Sequence, residues 1–523
     1  MMEQRTTTED AVGEQRHVRA EKAPGPVGSV LFGALSSFKK DTLRLLTELQ
    51  RQYGGVARMK MGPYLVHQVT DPEAVKHVLQ DNARNYVRGR FYRGFNLFFG
   101  RGMLTTDGAE WRTRRAVSRP FFHRAGLRAR SGTVTDTVEE LLARWEPSAR
   151  SGDPVDITDD MMWLAMGVLG RMLFGVDLRR YADRLLPAVR FSLKAMILTG
   201  EVKQMLPRWV PTPYQRRLKG HQQVLNDVMD EIIDLHRRGE GSPDSVVSAL
   251  LKATHEVTGE PFSRRQIRAE LKTLFLAGHE TTGCALTWTL YAVAQHEDVR
   301  RRLDAELTEV LGGRVPTAED VDDLPYLRAV VDESLRLYPP IWLFPRDAVT
   351  DDRVGGYRIP AGSTVIVPVY AAHHNPAVWD NPEAFDPERF CPAHAARPAD
   401  SGDGRSPDGT GSANEGGTGD GTRGRNEGPN EDGTGGANGS GVRGTPRQRD
   451  RYDYFPFGGG ARKCIGMDLA LLELRLAVAM VVQRYRLQLV AGRPVSPAAL
   501  VSLRPQPGVL MHIRPAEPKD PAA

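Results

Sequence analysis

A chain of 523 residues, 40% of them hydrophobic, is long enough to bury a large core, and length alone would divide it into about three domains of about 150 residues. Its 70 basic and 65 acidic side chains leave a net charge of +5, a mixed surface with a slight basic excess that by itself gives no sign of nucleic-acid binding. Three widely separated cysteines, Cys284, Cys391 and Cys464, argue against a disulfide framework or a structural zinc site and fit a reducing compartment.

The N-terminus is polar and charged, and the first apolar stretch, VGSVLFGALSSF, is too short to span a bilayer or to act as a signal core. The expectation is a cytoplasmic protein with no integral membrane segment. Residues 1–23 read as a disordered tail that ends at the prolines of APGPV. VARMKMG and YLVHQVT then read as a hairpin turned at Gly62-Pro63, and DPEAVKHVLQDN as a helix capped by Asp71. From about Gly108 to Glu309 the pattern is helical almost throughout. After Pro339 it changes to strand-sized runs, GYRIP and STVIVPVY, so the fold class is mainly α with a small β region. Residues 395–449 are rich in Gly, Asn, Asp and Ser with almost nothing to bury, and read as a disordered insertion without the G-x-x-x-x-G-K-[ST] pattern of a phosphate loop.

Four constellations carry candidate chemistry. In FPFGGGARKCIGMDLALLELRL, Cys464 sits in a glycine-rich loop ahead of a long helix, where backbone N–H groups and the helix dipole favour a thiolate. Gly460 and Gly466 allow sharp bends or close approach to a flat cofactor, and Arg462 is placed to pair with an acidic group on it. SRRQIRAELKTLFLAGHETTGCALTWTLYAVAQHE opens with Ser263 and Gln266 at capping-box spacing and runs as one helix, in which the Thr281 and Thr282 hydroxyls compete for backbone carbonyls and bend or widen the mid-section. Glu333 and Arg336 share a helical face in DESLRLYPP, as do Trp111 and Arg115 in WRTRR.

Phe457, Gly460, Arg462, Cys464 and Gly466 spell F-x-x-G-x-R-x-C-x-G, and at every named position the chain resembles the haem-binding signature of the cytochrome P450 family. The order WxxxR, AGxET, ExxR, PERF and the cysteine loop extends the resemblance from about residue 24 to 515. It implies the cytochrome P450 fold in a single domain over 24–394 and 450–515, with 516–523 as a C-terminal tail, and haem b (iron protoporphyrin IX) with Cys464 as its axial thiolate. Phe457, Gly460, Arg462, Gly466, Trp111, Arg115, Arg346 and His373 would hold the cofactor. Glu280 and Thr281 would manage protons, and Glu333, Arg336 and Arg389 would form a buried structural network. The resemblance also places Ala277, Gly278, Ile341, Leu343, Phe344, Val501 and the RFYRGFNLFF segment around substrate.

What this implies is a monooxygenase that inserts one atom of O2 into a C–H or C=C bond of a mostly apolar small molecule, such as a terpenoid, fatty acid or polyketide-type metabolite. Electrons would come from a separate partner, ferredoxin with its reductase or flavodoxin, docking near Arg112, Arg114, Arg119 and Lys463. A thiolate-haem isomerase or dehydratase and a non-catalytic haem-binding protein are the alternatives, and the intact Glu280–Thr281 pair favours the oxygenase.

Overall fold

The computed structural model describes residues 21–26, 38, 40–198, 212–255, 258–391 and 450–516. The insertion expected at 395–449 lies outside the described residues, as do 1–20 and 517–523 of the two tails. Residues 21–23 do not belong to a tail. Arg358 N–H donates to the Glu21 carbonyl at 3.1 Å and Arg58 N–H to the Pro24 carbonyl at 2.8 Å, while Ala23 is buried. At the other end, Ala516 N–H still donates to the Arg484 carbonyl at 3.0 Å.

Helix α1 (Thr42–Tyr53) starts at Asp41, whose carboxylate accepts from Arg44 N–H. Strands β1 (Val56–Met61) and β2 (Tyr64–Val69) form the expected hairpin, closed at Met61 opposite Tyr64, and Asp71 caps the turn that follows. They belong to a five-stranded sheet with β3 (Tyr86–Val87), β4 (Phe344–Ala348) and β5 (Thr364–Val367), in the order β1-β2-β5-β4-β3. The β2–β5 pair is parallel and the others antiparallel, so segments separated by some 300 residues are joined in one sheet. STVIVPVY is a strand only as far as Val367; Pro368, which cannot donate to a ladder, starts a short helix, Val369–His373.

Between the sheet segments lies the helical body: α2 (Tyr92–Phe99), α3 (Gly108–Ser118), α4 (Gly132–Ser151), α5 (Ile157–Leu169), α6 (Ala182–Leu198), α7 (Pro213–Arg237), α8 (Arg264–Gln295), α9 (Pro325–Leu337) and α10 (Met467–Arg484). A hairpin of β6 (Ser496–Ala499) and β7 (Leu503–Gln506) returns towards α8. Ser263 and Gln266 make the capping box in both directions, and α8 then continues for 32 residues. It is buried on nearly every side from Ile267 to Val293, the mark of a helix that runs through a core. Gly278 and Gly283 let α5 approach it closely, since a Cβ on Gly278 would stand 2.7 Å from Leu169 Cδ1 and one on Gly283 would stand 2.6 Å from Met162 Sδ. Among the described residues, no single helix is long and apolar enough to cross a membrane.

Candidate active site

Within this buried helix one stripe is open. Ala277 is exposed and Gly278 and Thr281 are half-exposed, although the helix around them is enclosed by protein. Positions i and i+4 share a face, so Ala277 and Thr281 front an internal space. Thr281 Oγ1–H donates to the Ala277 carbonyl at 2.6 Å. The helix neither breaks nor widens there, so the hydroxyl shares a carbonyl already in the ladder. Glu280, one residue earlier, turns to the opposite side, where it accepts the Ser502 hydroxyl at 2.7 Å and meets Arg504 at 2.8 Å.

Cys464 has the same double character. By surface area it is exposed, yet protein atoms crowd it closely enough that burial pushes its thiol up. Both hold for a side chain that faces an interior space. A Gly466 N–H and the charges of Arg115 and Lys463 pull the thiol down, but burial, with Asp468, outweighs them and the thiol stays raised. Its own N–H donates to the Phe457 carbonyl at 2.9 Å and closes the loop, and α10 begins three residues on, at Met467. Gly460 serves this loop in a different way from the expected cofactor approach: it has φ +61°, and a Cβ would stand 2.1 Å from the Leu79 carbonyl oxygen. It is therefore required by the protein backbone beside it. A Cβ at Gly466 would meet only ordinary contacts, with Phe122 at 3.5 Å and Cys464 Sγ at 4.0 Å.

A second group gathers cations. Arg88, Arg346 and Arg462 surround Tyr92, and their charges together outweigh the burial that would raise its phenol, so it falls. Arg462 donates to the Thr106 carbonyl at 2.8 Å, pairs with Asp107 and lies 4.1 Å over the Trp111 ring; burial, with Arg88 beside it, brings it down to about 10. Arg346 is buried and spends one donor on the Pro345 carbonyl, and Arg88 Nε is shielded with no partner. Among the described residues, Asp107 is the carboxylate bonded to this group, accepting from Arg88 N–H and Arg462. Three guanidiniums, an orphaned N–H and one acid make a site with spare capacity for carboxylates, and a haem carries two. These residues fit the implied cofactor.

Other expected positions divide. Trp111 lies under Arg462, while Arg115 donates to the Lys463 carbonyl at 2.9 Å and so belongs to the cysteine loop. His373 does not face the cofactor side. Its Nε2 accepts from Phe455 N–H at 3.1 Å and its Nδ1 donates to the Arg336 carbonyl at 3.2 Å, so both nitrogens tie α9 to the cysteine loop. Leu343 is buried in a cluster with Leu46, Trp342 and Ile366 and is core, not pocket lining, whereas Ile341, Phe344 and Val501 are half-buried. Gly278 is half-exposed but its missing side chain makes room for Leu169. Arg114 is wholly buried in pairs with Glu270 at 3.1 Å and Glu110 at 3.0 Å, so it cannot belong to a docking surface; Arg112 and Arg119 are exposed. Arg88, Asp107 and Arg504 carry no signal in the sequence, where each is one charge among 70 basic and 65 acidic residues; Tyr92 falls in the segment expected around substrate and stands instead among these arginines.

The structural network forms as expected. Glu333 and Arg336 are fully buried and joined by two bonds of 2.7 Å, and Arg336 also donates to the carbonyls of His373, Pro382 and Ala384. Arg389 Nε reaches Glu333 at 3.3 Å.

The family pattern described as Cytochrome P450 matches residues 23–407 and 436–517. The chain belongs to the cytochrome P450 family. Cyclooctatin synthase of Streptomyces melanosporofaciens is 30% identical over 499 residues, covering 94% of this chain and 95% of that one. Cyclooctat-9-en-7-ol 5-monooxygenase of the same organism is 30% identical over 477 residues, 90% of each. The heme domain of cytochrome P450DA has a TM-score of 0.77 at 23% identity, covering 95% of this chain and 99% of that chain, a likeness of fold. The P450 is thus an oxidoreductase that binds haem through a cysteine thiolate and acts as a specialised-metabolite monooxygenase, with O2, a redox partner and a small-molecule substrate.

Proposed function

We propose that Cys464 supplies the thiolate, and that the enzyme oxygenates an apolar terpenoid-class molecule in the cytoplasm with electrons from a ferredoxin and its reductase or a flavodoxin. The observation that carries the ligand assignment is the Cys464 thiol itself, enclosed by protein yet open to an internal space, with a Gly466 N–H and Arg115 turned towards it. Bound there, the haem supplies the activation of O2, for which cysteine-ligated iron in this family is the type case. Arg88, Arg346 and Arg462 hold its carboxylates. Trp111 supports Arg462 from below.

Thr281 Oγ1, on the open stripe, holds a proton for the oxygen chemistry, and Glu280 resupplies it. Ala277, Ile341, Phe344 and Val501 present mostly apolar surface, which suits a substrate held mainly by burial. The two relatives whose names contain cyclooctatin and cyclooctat-9-en-7-ol support a terpenoid within that class. The described cysteines are all free, in keeping with a reducing compartment. The exposed Arg112 and Arg119, with half-buried Lys463 next to Cys464, favour an acidic electron donor.

The reduced protein under carbon monoxide is expected to show the red-shifted Soret band of thiolate-bound haem, and Cys464→Ser to lose it. A variant that kept the band would remove Cys464 as ligand. A terpenoid-alcohol panel read by the spin-state shift on the same sample tests the substrate class, which fails if fatty acids bind and terpenoids do not.

A further inference from the structure

On the side of α8 away from Thr281, a cavity of about 210 Å³ opens between α5, α6 and α8. Met162 and Trp163 of α5 and Leu186 and Val189 of α6 give it apolar walls, and His279 and Glu280 of α8 close it at depth, each 2% exposed. Both ring nitrogens of His279 and the Oε2 of Glu280 have no hydrogen-bond partner among the described residues. Buried polar groups left without partners are costly, so a cavity that holds three of them calls for an occupant. The chemistry of that occupant follows from the charges around it. Arg504 faces Glu280 at 2.8 Å, Arg190 faces Asp159 at 2.6 Å at the mouth, and Arg144 faces Asp160 at 3.6 Å, so every cation on the wall already has an acid. His279 is neutral, its pKa lowered to about 3 by burial and then by the Arg504 charge. The walls therefore ask for no ionic ligand. What stays open is one imidazole donor, one imidazole acceptor and one carboxylate acceptor, a set that a hydroxyl, donor and acceptor at once, can meet and a ketone or a hydrocarbon cannot.

We propose that this cavity is a binding site for a neutral apolar alcohol, whose hydroxyl meets His279 and Glu280 Oε2 while its hydrocarbon body lies between α5 and α6. Mostly apolar walls with a few polar groups at one end are the general form of a small-molecule site. The ligand touches three helices and so holds α6 against α8. Hydroxylation of a C–H bond makes an alcohol, so the enzyme's own product has the chemistry this site accepts. The open stripe of Ala277 and Thr281 takes no part in the cavity, and the proposal is independent of the role given to Glu280 above.

The test uses the haem-loaded protein with 4-phenylimidazole on the iron, so that the haem pocket is filled, and titrates menthol and menthone, which share a carbon skeleton and differ in the hydroxyl. Calorimetry is expected to show a single menthol per chain, bound about tenfold or more tighter than menthone, the worth of a hydrogen bond to a buried group that is otherwise left unmade. Hydrogen exchange across Ala182–Leu198 is expected to slow when menthol is bound. His279→Phe keeps a ring and loses both nitrogens, and should narrow the preference for menthol by about threefold or more. Val189→Trp fills the cavity from α6 and should abolish menthol binding while the azole complex keeps its Soret band; Leu186→Trp, from the same helix, is the second variant should the first fail to load haem. Three results would each overturn the proposal: no menthol bound beneath the azole, which leaves the cavity to water alone; equal affinities for menthol and menthone, or a preference that His279→Phe leaves unchanged; and menthol binding that survives a tryptophan at Val189 or Leu186.

Discussion

Glu333→Gln separates a structural network from a surface ion pair more sharply than any other single change. The carboxylate is fully buried and accepts two bonds of 2.7 Å from Arg336, one of 2.9 Å from Asp386 N–H and one of 3.3 Å from Arg389. The amide keeps the shape, but it leaves the buried Arg336 guanidinium without an anion, while Arg389 keeps only Asp386 at 3.9 Å, and it turns one acceptor into a donor that faces a donor. Stranding a buried charge in this way costs about 3–5 kcal/mol. If the network is intact in the native state and lost at the barrier, unfolding in fixed urea should accelerate by roughly 150- to 4,500-fold, as the cost divided by RT requires. Arg389→Ala is the internal comparison. That side chain makes one long contact with Glu333 and one bond of 3.0 Å to the Asn381 carbonyl, so about 1–2 kcal/mol is expected. Helical circular dichroism followed through unfolding measures both. A Glu333→Gln rate within fivefold of wild type, or equal costs for the two variants, would refute the network as a fold lock.

Gly460→Ala should lose at least about 2 kcal/mol, because it adds a side chain at φ +61° and drives a Cβ into the Leu79 carbonyl; haem content per mole of purified protein should fall with it. Arg88→Gln should speed haem transfer to an apo-globin acceptor by roughly ten- to a hundredfold, the worth of about one charge-assisted bond, while leaving urea stability near wild type. Acid should destabilise the protein well before its carboxylates titrate. Burial lowers His67 to about 4 and His374 to about 3, below the ordinary value of about 6.5 that they regain on unfolding. Between those limits the unfolded chain binds more protons, so stability falls as pH drops through 6.5 towards 4, by up to about 1.4 kcal/mol per pH unit for each histidine. Urea midpoints at pH 7, 6 and 5 read this directly, and a flat profile would contradict it.

Much of the architecture was legible in residue patterns because its causes are local. The Ser263–Gln266 capping box, the Gly62-Pro63 hairpin and the Asp71 cap are set by residues within a few positions of one another, and all three form. The F-x-x-G-x-R-x-C-x-G loop and the E-x-x-R pair are compact in the same way: Cys464 N–H closes on the Phe457 carbonyl within the loop, and Glu333 meets Arg336 one helical turn away. Tertiary structure alone decided what meets across the chain. His373 resembled a cofactor contact but is spent on Phe455 and Arg336, and Leu343 packs into a small core. Arg114 looked like surface charge until it met Glu270, 156 residues away.

The same holds for the groups that give the site its electrostatics. Arg88, Arg346 and Arg462 come from three distant segments and converge on Tyr92, and Arg504 reaches Glu280 from a strand more than 200 residues downstream. Pattern and spacing report energies between neighbours in sequence, such as caps, turns and helical faces. Charge pairing, burial and cavities depend on neighbours in space, and those exist only once the helices have packed.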